Sequence, residues 1–147
     1  MAMAERKANV VWEGDLAHGA GSVAVASGAL AEFPVTWASR TVRSEGKTSP
    51  EELIAAAHAS CYSMGLAHGL AEAGTPPERL EVSAVATLDA TDAGLRITTM
   101  TLEVRGRVSG LDAAGFREAA EGARTGCPVS NALTGVNIVL AAALLEE

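Results

Sequence analysis

The fold is decided by the stretch SPEELIAAAHASCYSMGLAHGLAEAG, which occupies residues 49–74. Ser49 can cap a helix, Pro50 suits its first position, and Glu52 completes a capping box. No charged residue then follows until Glu72, and a Gly-Thr-Pro-Pro sequence ends the segment. Its polar side chains and few large apolar residues argue against a membrane span. The stretch therefore predicts a long central helix that protein covers on nearly all sides.

Short strands are predicted on both sides of this helix. Three glycine-punctuated runs precede it and favour an antiparallel meander, at residues 10–12, 22–28 and 33–38. An alternating strand over 80–89 follows, and then a β-rich run over 95–109. The apolar residues of this run change from odd-numbered to even-numbered positions between Ile97 and Met100, which indicates a β-bulge.

The last third of the chain predicts two helices and a closing strand. The first helix opens at Leu111 and runs to Arg124, and a short one runs from Cys127 to about Gly135. Residues 136–145 form a strand, with a helix over 141–145 left open. The predicted order is βββ-α-ββ-αα-β, an α+β fold.

The composition limits the kinds of protein to which this chain can belong. The chain has 147 residues, of which 48% are hydrophobic. A chain of this length can bury roughly two-thirds of its unfolded surface, so we expect a single domain over residues 1–147. A net charge of −7 at pH 7 and 3% aromatic residues argue against nucleic-acid binding. Because the first ten residues contain no apolar signal-peptide core, we expect a cytoplasmic protein with no membrane partner.

The two cysteines occupy different local settings. Cys61 lies inside the central helix, where free cysteine commonly packs as a small hydrophobe. Cys127 precedes Pro128 at a predicted helix start, where free amides and the helix dipole favour a thiolate. Two cysteines are too few for a disulfide scaffold or an all-cysteine zinc site. Together they are consistent with an attacking and a resolving thiol.

A thiolate at neutral pH needs a nearby cation, and Arg40 and Arg43 are the candidates ahead of the central helix. Either could instead be a solvated loop charge. Glu51 could orient such an arginine, but it lies about 15 Å from Cys61 along the helix. The simplest way to unite these groups is a C2 homodimer with two antiparallel central helices, in which Glu51 of one chain meets Cys61 of the other.

The segments SPEELIAAAHASCYSM (49–64) and GCPVS (126–130) resemble the OsmC/Ohr family. WEGD at 12–15 and the segment 89–94 are similar to the osmotically inducible protein C branch rather than the organic hydroperoxide resistance branch. The resemblance spans essentially the whole chain. It implies an intertwined homodimer, in which a curved antiparallel sheet from both chains wraps two long central helices. It also implies a thiol-dependent peroxidase of oxidative and osmotic stress defence that reduces organic hydroperoxides, without metal or haem; hydrogen peroxide is a further candidate substrate.

The resemblance also assigns roles to residues. Cys61 matches the peroxidatic cysteine, Cys127 the resolving cysteine and Glu51 the site carboxylate. Arg40 is the choice for the site arginine, with Arg43 as the alternative. The Cys61 sulfenic acid would condense with Cys127, and an external dithiol of lipoyl type would reset the enzyme without a bound cofactor. The apolar walls that favour alkyl hydroperoxides are expected from Phe33, Leu53, Ile54 and Met64.

Two other interpretations stay open. His58, Cys61 and His68 share one helix stripe and could form a metal site with Cys127, although three ligands spread over about 15 Å cannot all reach one ion. The chain could also be a non-catalytic, stress-related binding dimer that retains its cysteines. Free thiol would then survive the addition of a hydroperoxide.

Overall fold

The computed structural model describes residues 1–146 and contains six strands and four helices in that range. In chain order they are β1 (Ala8–Glu13), β2 (Ala20–Val25), β3 (Phe33–Val35), α1 (Trp37–Thr41), α2 (Pro50–Glu72), β4 (Arg79–Thr91), β5 (Gly94–Arg107), α3 (Ala113–Gly126), α4 (Pro128–Ala132) and β6 (Asn137–Leu144). The predicted α+β class and element order are confirmed, with one short helix added. Over the described residues, no helix is both long enough and apolar enough to cross a membrane.

The chain divides into two compact units, Met1–Leu53 and Ile54–Glu147, which we call unit 1 and unit 2. Helix α2 starts in unit 1 and continues into unit 2. That the whole chain is a single domain stays a prediction.

Unit 1 contains the predicted meander. Strands β1, β2 and β3 pair in that order, and both pairings are antiparallel. The third strand was predicted to reach residue 38, which is wrong, because Thr36 caps helix α1. The Ser39 amide donates to Thr36 Oγ1 at 3.0 Å, and the Thr36 amide donates to Ser39 Oγ at 2.9 Å. This capping box bends the chain into a helical turn, so Arg40 lies on a helix rather than at a strand end.

Both ends of α2 follow from its sequence. The predicted cap is confirmed, since the Glu52 amide donates to Ser49 Oγ at 3.2 Å. The Glu52 carboxylate accepts from the Thr48 hydroxyl at 3.3 Å instead of completing the capping box. At the other end Gly74 has a φ of +85°, and the amides of Gly74 and Thr75 return to carbonyls of the last turn. This Schellman arrangement needs a left-handed residue, which glycine supplies.

Burial along α2 is one-sided. The buried positions recur at three- and four-residue spacing, at Glu51, Ala55, His58, Tyr62, Leu66 and Leu70. The opposite face is exposed and includes Met64, which is 68% exposed. The prediction that protein covers nearly all sides of this helix is therefore not met within one chain.

The sheet of unit 2 has the order β4-β5-β6. The antiparallel β4–β5 ladder pairs Thr87 with Thr99 and then Leu88 with Ile97, so Thr98 is extra and the predicted bulge is confirmed. Strand β6 pairs with β5 in parallel, so an entirely antiparallel sheet is the wrong expectation. The helices α3 and α4 supply the long crossover that parallel neighbours need. The strand continues to Leu144, which settles the open choice over 141–145 against a helix.

The core of unit 2 lies between this sheet and two helices. It combines the buried face of α2, the inward residues of β5 and one side of α3: Tyr62, Leu66, Leu70, Met100, Leu102, Val104, Phe116 and Ala120. The Tyr62 hydroxyl donates to the Ala120 carbonyl at 2.9 Å, which ties α2 to α3 one residue after Cys61. Cys127 belongs to the same buried cluster.

Gly106 tests how tightly this core is packed. A Cβ at this position in β5 would lie 2.5 Å from Phe116 Cζ and 3.2 Å from Leu80 Cδ2. Because Phe116 is fully buried, Gly106→Ala should lower the free energy of unfolding by about 1–3 kcal/mol. Gly135→Ala is the control, since nothing lies within 4 Å of its added methyl group. Equal urea midpoints for the two variants would contradict the packing described here.

Candidate active site

Unit 1 holds an arginine–carboxylate pair. Glu51 Oε1 accepts from Arg40 at 2.7 Å from Nη2 and 2.8 Å from Nε. The Glu51 side chain is 9% exposed and that of Arg40 is 29% exposed. Arg43 is 79% exposed and lies 3.8 Å from the exposed Glu45. Of the two candidate arginines, the structure therefore joins Arg40 to Glu51.

The pair is held by short local elements. Helix α1 carries Arg40, and the first turn of α2 carries Glu51. The Ser39 hydroxyl donates to the Thr48 carbonyl at 2.8 Å and so fixes α1 against the start of α2. Both arginine contacts go to Oε1, while Glu51 Oε2 is buried and has no hydrogen-bond partner among the described residues. That oxygen can accept a hydrogen bond from a ligand that binds the guanidinium.

An apolar pocket of about 420 Å³ adjoins Arg40 within unit 1. Its walls include Trp12 of β1, Trp37 of α1 and Leu53 of α2. The Arg40 guanidinium carbon lies 5.9 Å from the centre of the Trp37 ring, a cation–π distance that orients the guanidinium. The pocket therefore presents one cation at the edge of an otherwise hydrophobic surface.

The expected wall residues are only partly found here. Leu53 lines this pocket, whereas Ile54 packs against the core of unit 2 and Met64 is exposed. Phe33 lies half-buried in β3 and is not part of this lining. The sequence reasoning missed both tryptophans. The capping box that opens α1 was the available signal, because it places Trp37 one helical turn before Arg40.

Unit 2 holds both cysteines, and both are free thiols. Cys61 is half-buried on α2, whereas Cys127 is 1% exposed at the residue before α4. Cys61 packs against the same core cluster that contains Cys127, and each thiol shifts the pKa of the other. The predicted position of Cys127 at a helix start is confirmed. A partly exposed sulfur and a buried sulfur thus share one cluster.

The pKa values of the two thiols move in opposite directions. Burial raises the pKa of Cys61; the Val129 amide opposes this, and Cys127 adds to it. Burial also disfavours the Cys127 thiolate, but the Ser130 amide, the Cys61 thiol, the Ser130 hydroxyl and the Val129 amide together lower its pKa. None of the groups that shift the pKa of Cys61 is a cation. Among residues 1–146, no cation therefore contributes to the pKa of Cys61, although one was expected to lower it.

A buried histidine–serine pair connects α2, which carries Cys61, to α4, which begins directly after Cys127. His58 Nε2 is 2.8 Å from Ser130 Oγ, and both side chains are buried. Burial lowers the pKa of His58, which favours the neutral imidazole. The sequence reasoning considered His58 only as a metal ligand; its partner lies 72 residues away, so no local pattern could reveal the pair. In the described part of the chain, no group of three or more His, Cys, Asp or Glu side chains could hold a metal ion.

Comparison with known proteins gives a consistent result. The family model described as OsmC-like protein matches residues 43–141. Peroxiredoxin OsmC of Escherichia coli is 42% identical over 128 residues, which cover 87% of this chain and 89% of that protein. The crystal structure of the organic hydroperoxide resistance protein OhrB of Bacillus subtilis superposes with a TM-score of 0.74 at 27% identity, covering 92% of this chain and 97% of that one.

A second solved structure supports the fold alone. The organic hydroperoxide resistance protein OsmC of Legionella pneumophila has a TM-score of 0.74 at 22% identity, and it covers 99% of this chain and 100% of that one. The family match, the sequence identity and the shared fold agree with the resemblance in the cysteine segments. The chain belongs to the OsmC-like protein family.

Proposed function

We propose that this protein is a thiol-dependent peroxidase that reduces organic hydroperoxides through Cys61 and Cys127. The observation that carries the proposal is the presence of a half-buried thiol and a buried thiol in one core cluster, where each shifts the pKa of the other. Family membership supports it, since the Escherichia coli relative is named a peroxiredoxin and the Bacillus subtilis protein an organic hydroperoxide resistance protein.

The difference in accessibility supports the roles proposed for the two cysteines. A hydroperoxide can reach Cys61, whereas Cys127 is 1% exposed. The Cys61 thiolate attacks the hydroperoxide; an S–O bond forms, the O–O bond breaks, and the alkoxide leaves as an alcohol after taking up a proton. The Cys127 thiolate then attacks the Cys61 sulfenic acid; an S–S bond forms, the S–O bond breaks, and hydroxide leaves as water. The thiol pair supplies the two electrons.

Arg40 and Glu51 serve the first step. The guanidinium holds the peroxide and stabilises the negative charge on the leaving oxygen. Glu51 fixes the guanidinium through Oε1, and its buried Oε2 can accept the hydroperoxide hydrogen. The apolar pocket beside Arg40 takes the alkyl group, because burying hydrocarbon there is favourable. This favours alkyl hydroperoxides over hydrogen peroxide.

The complete site requires a homodimer. Glu51 and Cys61 are ten residues apart on α2, about 15 Å along its axis, and one chain leaves a face of this helix open. Two antiparallel copies of α2 would cover that face and bring Arg40 of one subunit to Cys61 of the partner subunit. A cation at that position would offset the burial that raises the pKa of Cys61.

An external dithiol of lipoyl type resets the enzyme, with no bound cofactor, in the reducing environment of the cytoplasm. Cys61 is the sulfur that such a dithiol can reach. Attack there releases Cys127, and the lowered pKa of this thiol makes it the better leaving group. Turnover with dihydrolipoamide is expected to exceed turnover with a thioredoxin system, and the reverse order would reject the lipoyl-type reductant.

Replacing the resolving cysteine tests this function directly. One equivalent of cumene hydroperoxide should remove both thiols of the reduced chain, because the cycle ends in a Cys61–Cys127 disulfide. Cys127→Ser should instead stop at the Cys61 sulfenic acid, which dimedone traps and mass spectrometry detects. Wild-type thiols that survive the hydroperoxide would support a non-catalytic binding dimer. A Cys127→Ser chain without a dimedone adduct would reject the resolving role.

A further inference from the structure

His58 and Ser130 link the two elements that carry the cysteines, and the cycle above does not use them. His58 lies one turn before Cys61 on α2, and Ser130 lies three residues after Cys127 on α4. Their side chains join at 2.8 Å inside the protein. His58 is fully buried and Ser130 nearly so. Two polar groups are thus placed where the disulfide must form.

The hydrogen-bond direction follows from the surroundings of the imidazole. Burial lowers the pKa of His58 and so favours the neutral imidazole, in which only one ring nitrogen carries a hydrogen. Nδ1 is buried and has no hydrogen-bond partner among the described residues. A buried N–H without an acceptor is rarer than a buried acceptor without a donor, so the hydrogen belongs on Nε2. Nε2–H then donates to Ser130 Oγ and leaves the serine hydrogen free.

The position of Ser130 at the start of α4 offers an acceptor for its free hydrogen. Cys127 is the N-cap of α4 and Ser130 is its third residue, and the side chains at these two positions lie next to each other at a helix start. In agreement with this placement, the Ser130 hydroxyl is among the groups that lower the pKa of Cys127. Hydrogen bonds to charged groups are worth about 1.5–3 kcal/mol, more than those between neutral groups. Ser130 can therefore favour the ionised sulfur, provided that its hydroxyl is held in one orientation.

We propose that Ser130 is a catalytic residue of the resolving step and that His58 is a positioning residue which acts through it. His58 Nε2–H fixes the Ser130 hydroxyl, and that hydroxyl donates to the Cys127 sulfur and directs it at Cys61 during the resolving step. The inference rests on the proposed peroxidase function. The proton that Cys127 loses on ionisation balances the one that the departing hydroxide takes up as water.

Single-turnover kinetics of the reduced full-length chain separate the two chemical steps. After one equivalent of cumene hydroperoxide, dimedone trapping follows the sulfenic acid, and mass spectrometry of the quenched protein follows the disulfide. Ser130→Ala should form sulfenic acid at the wild-type rate and close the disulfide about 10- to 100-fold more slowly. Ser130→Thr keeps the hydroxyl and should recover most of the rate.

Variants of His58 test the positioning role independently. His58→Leu removes the donor and should also slow disulfide closure, whereas His58→Gln keeps an N–H donor near the position of Nε2 and should retain most of the rate. Disulfide closure at the wild-type rate in Ser130→Ala would overturn the inference. The inference would also be overturned if Ser130→Thr closed the disulfide as slowly as Ser130→Ala. The same holds if His58→Gln closed it as slowly as His58→Leu, because lost packing alone would then explain the slower closure. A wild-type chain that forms no sulfenic acid would instead reject the peroxidase function itself.

Discussion

Cys61→Ser should lower the rate of hydroperoxide reduction by about 10³-fold or more, because the reaction loses its nucleophile. A serine hydroxyl does not ionise near neutral pH, and its oxygen cannot form the sulfenic acid on which the cycle depends. The measurement is the consumption of cumene hydroperoxide with excess dithiol. Ser63→Ala is the matched control on the same helix, and it should turn over at the wild-type rate. Full turnover by Cys61→Ser would reject the assignment.

The first turnover alone distinguishes the two cysteines. In the single chain Cys127 is the thiol with the lowered pKa, and Cys61 is the one with the raised pKa. Ionisation favours attack only where the sulfur can meet its substrate, and Cys127 is 1% exposed. Cys127→Ser should therefore consume one equivalent of hydroperoxide at the wild-type rate, while Cys61→Ser consumes none. The opposite result would exchange the two roles.

The features predicted well from the sequence are those with a local signal. Ser49 and the segment after it define the start of α2, Pro128 places Cys127 at a helix start, and the parity shift locates the bulge at Thr98. Helix α1 also has a local signal, the Thr36 capping box. It was missed because the apolar alternation from Phe33 continues into it and favours a longer strand.

Other features have no local signal. The sequence of β6 predicts a strand, but it does not specify whether that strand runs parallel or antiparallel to β5. The parallel direction follows from the crossover through α3 and α4. The His58–Ser130 pair depends on the packing of α2 against α4, across 72 residues of chain. The difference between the two thiol pKa values likewise depends on burial and on amides that only the folded chain brings together.

Arg40→Met should lower kcat/KM for cumene hydroperoxide by about 10²- to 10³-fold, because it removes the donor that we propose to stabilise the leaving oxygen. It also leaves the Glu51 carboxylate, which is 9% exposed, without its cation. We therefore expect the free energy of unfolding to fall by up to about 3 kcal/mol. Arg43→Met is the matched control, since Arg43 is 79% exposed; it should change stability by less than about 0.5 kcal/mol and leave activity intact. Equal activity losses in the two variants would contradict the choice of Arg40.

Mixing two inactive variants tests whether the site is shared between subunits. If Arg40 of one subunit serves Cys61 of the partner subunit, a dimer of one Cys61→Ser chain and one Arg40→Met chain has one intact site and one doubly defective site. After statistical exchange of equal amounts, half of the dimers are mixed, so about a quarter of the wild-type activity should return. If each chain used its own arginine, every site in the mixture would lack either the thiol or the guanidinium. The mixture would then stay as inactive as its components, and the shared site would be rejected.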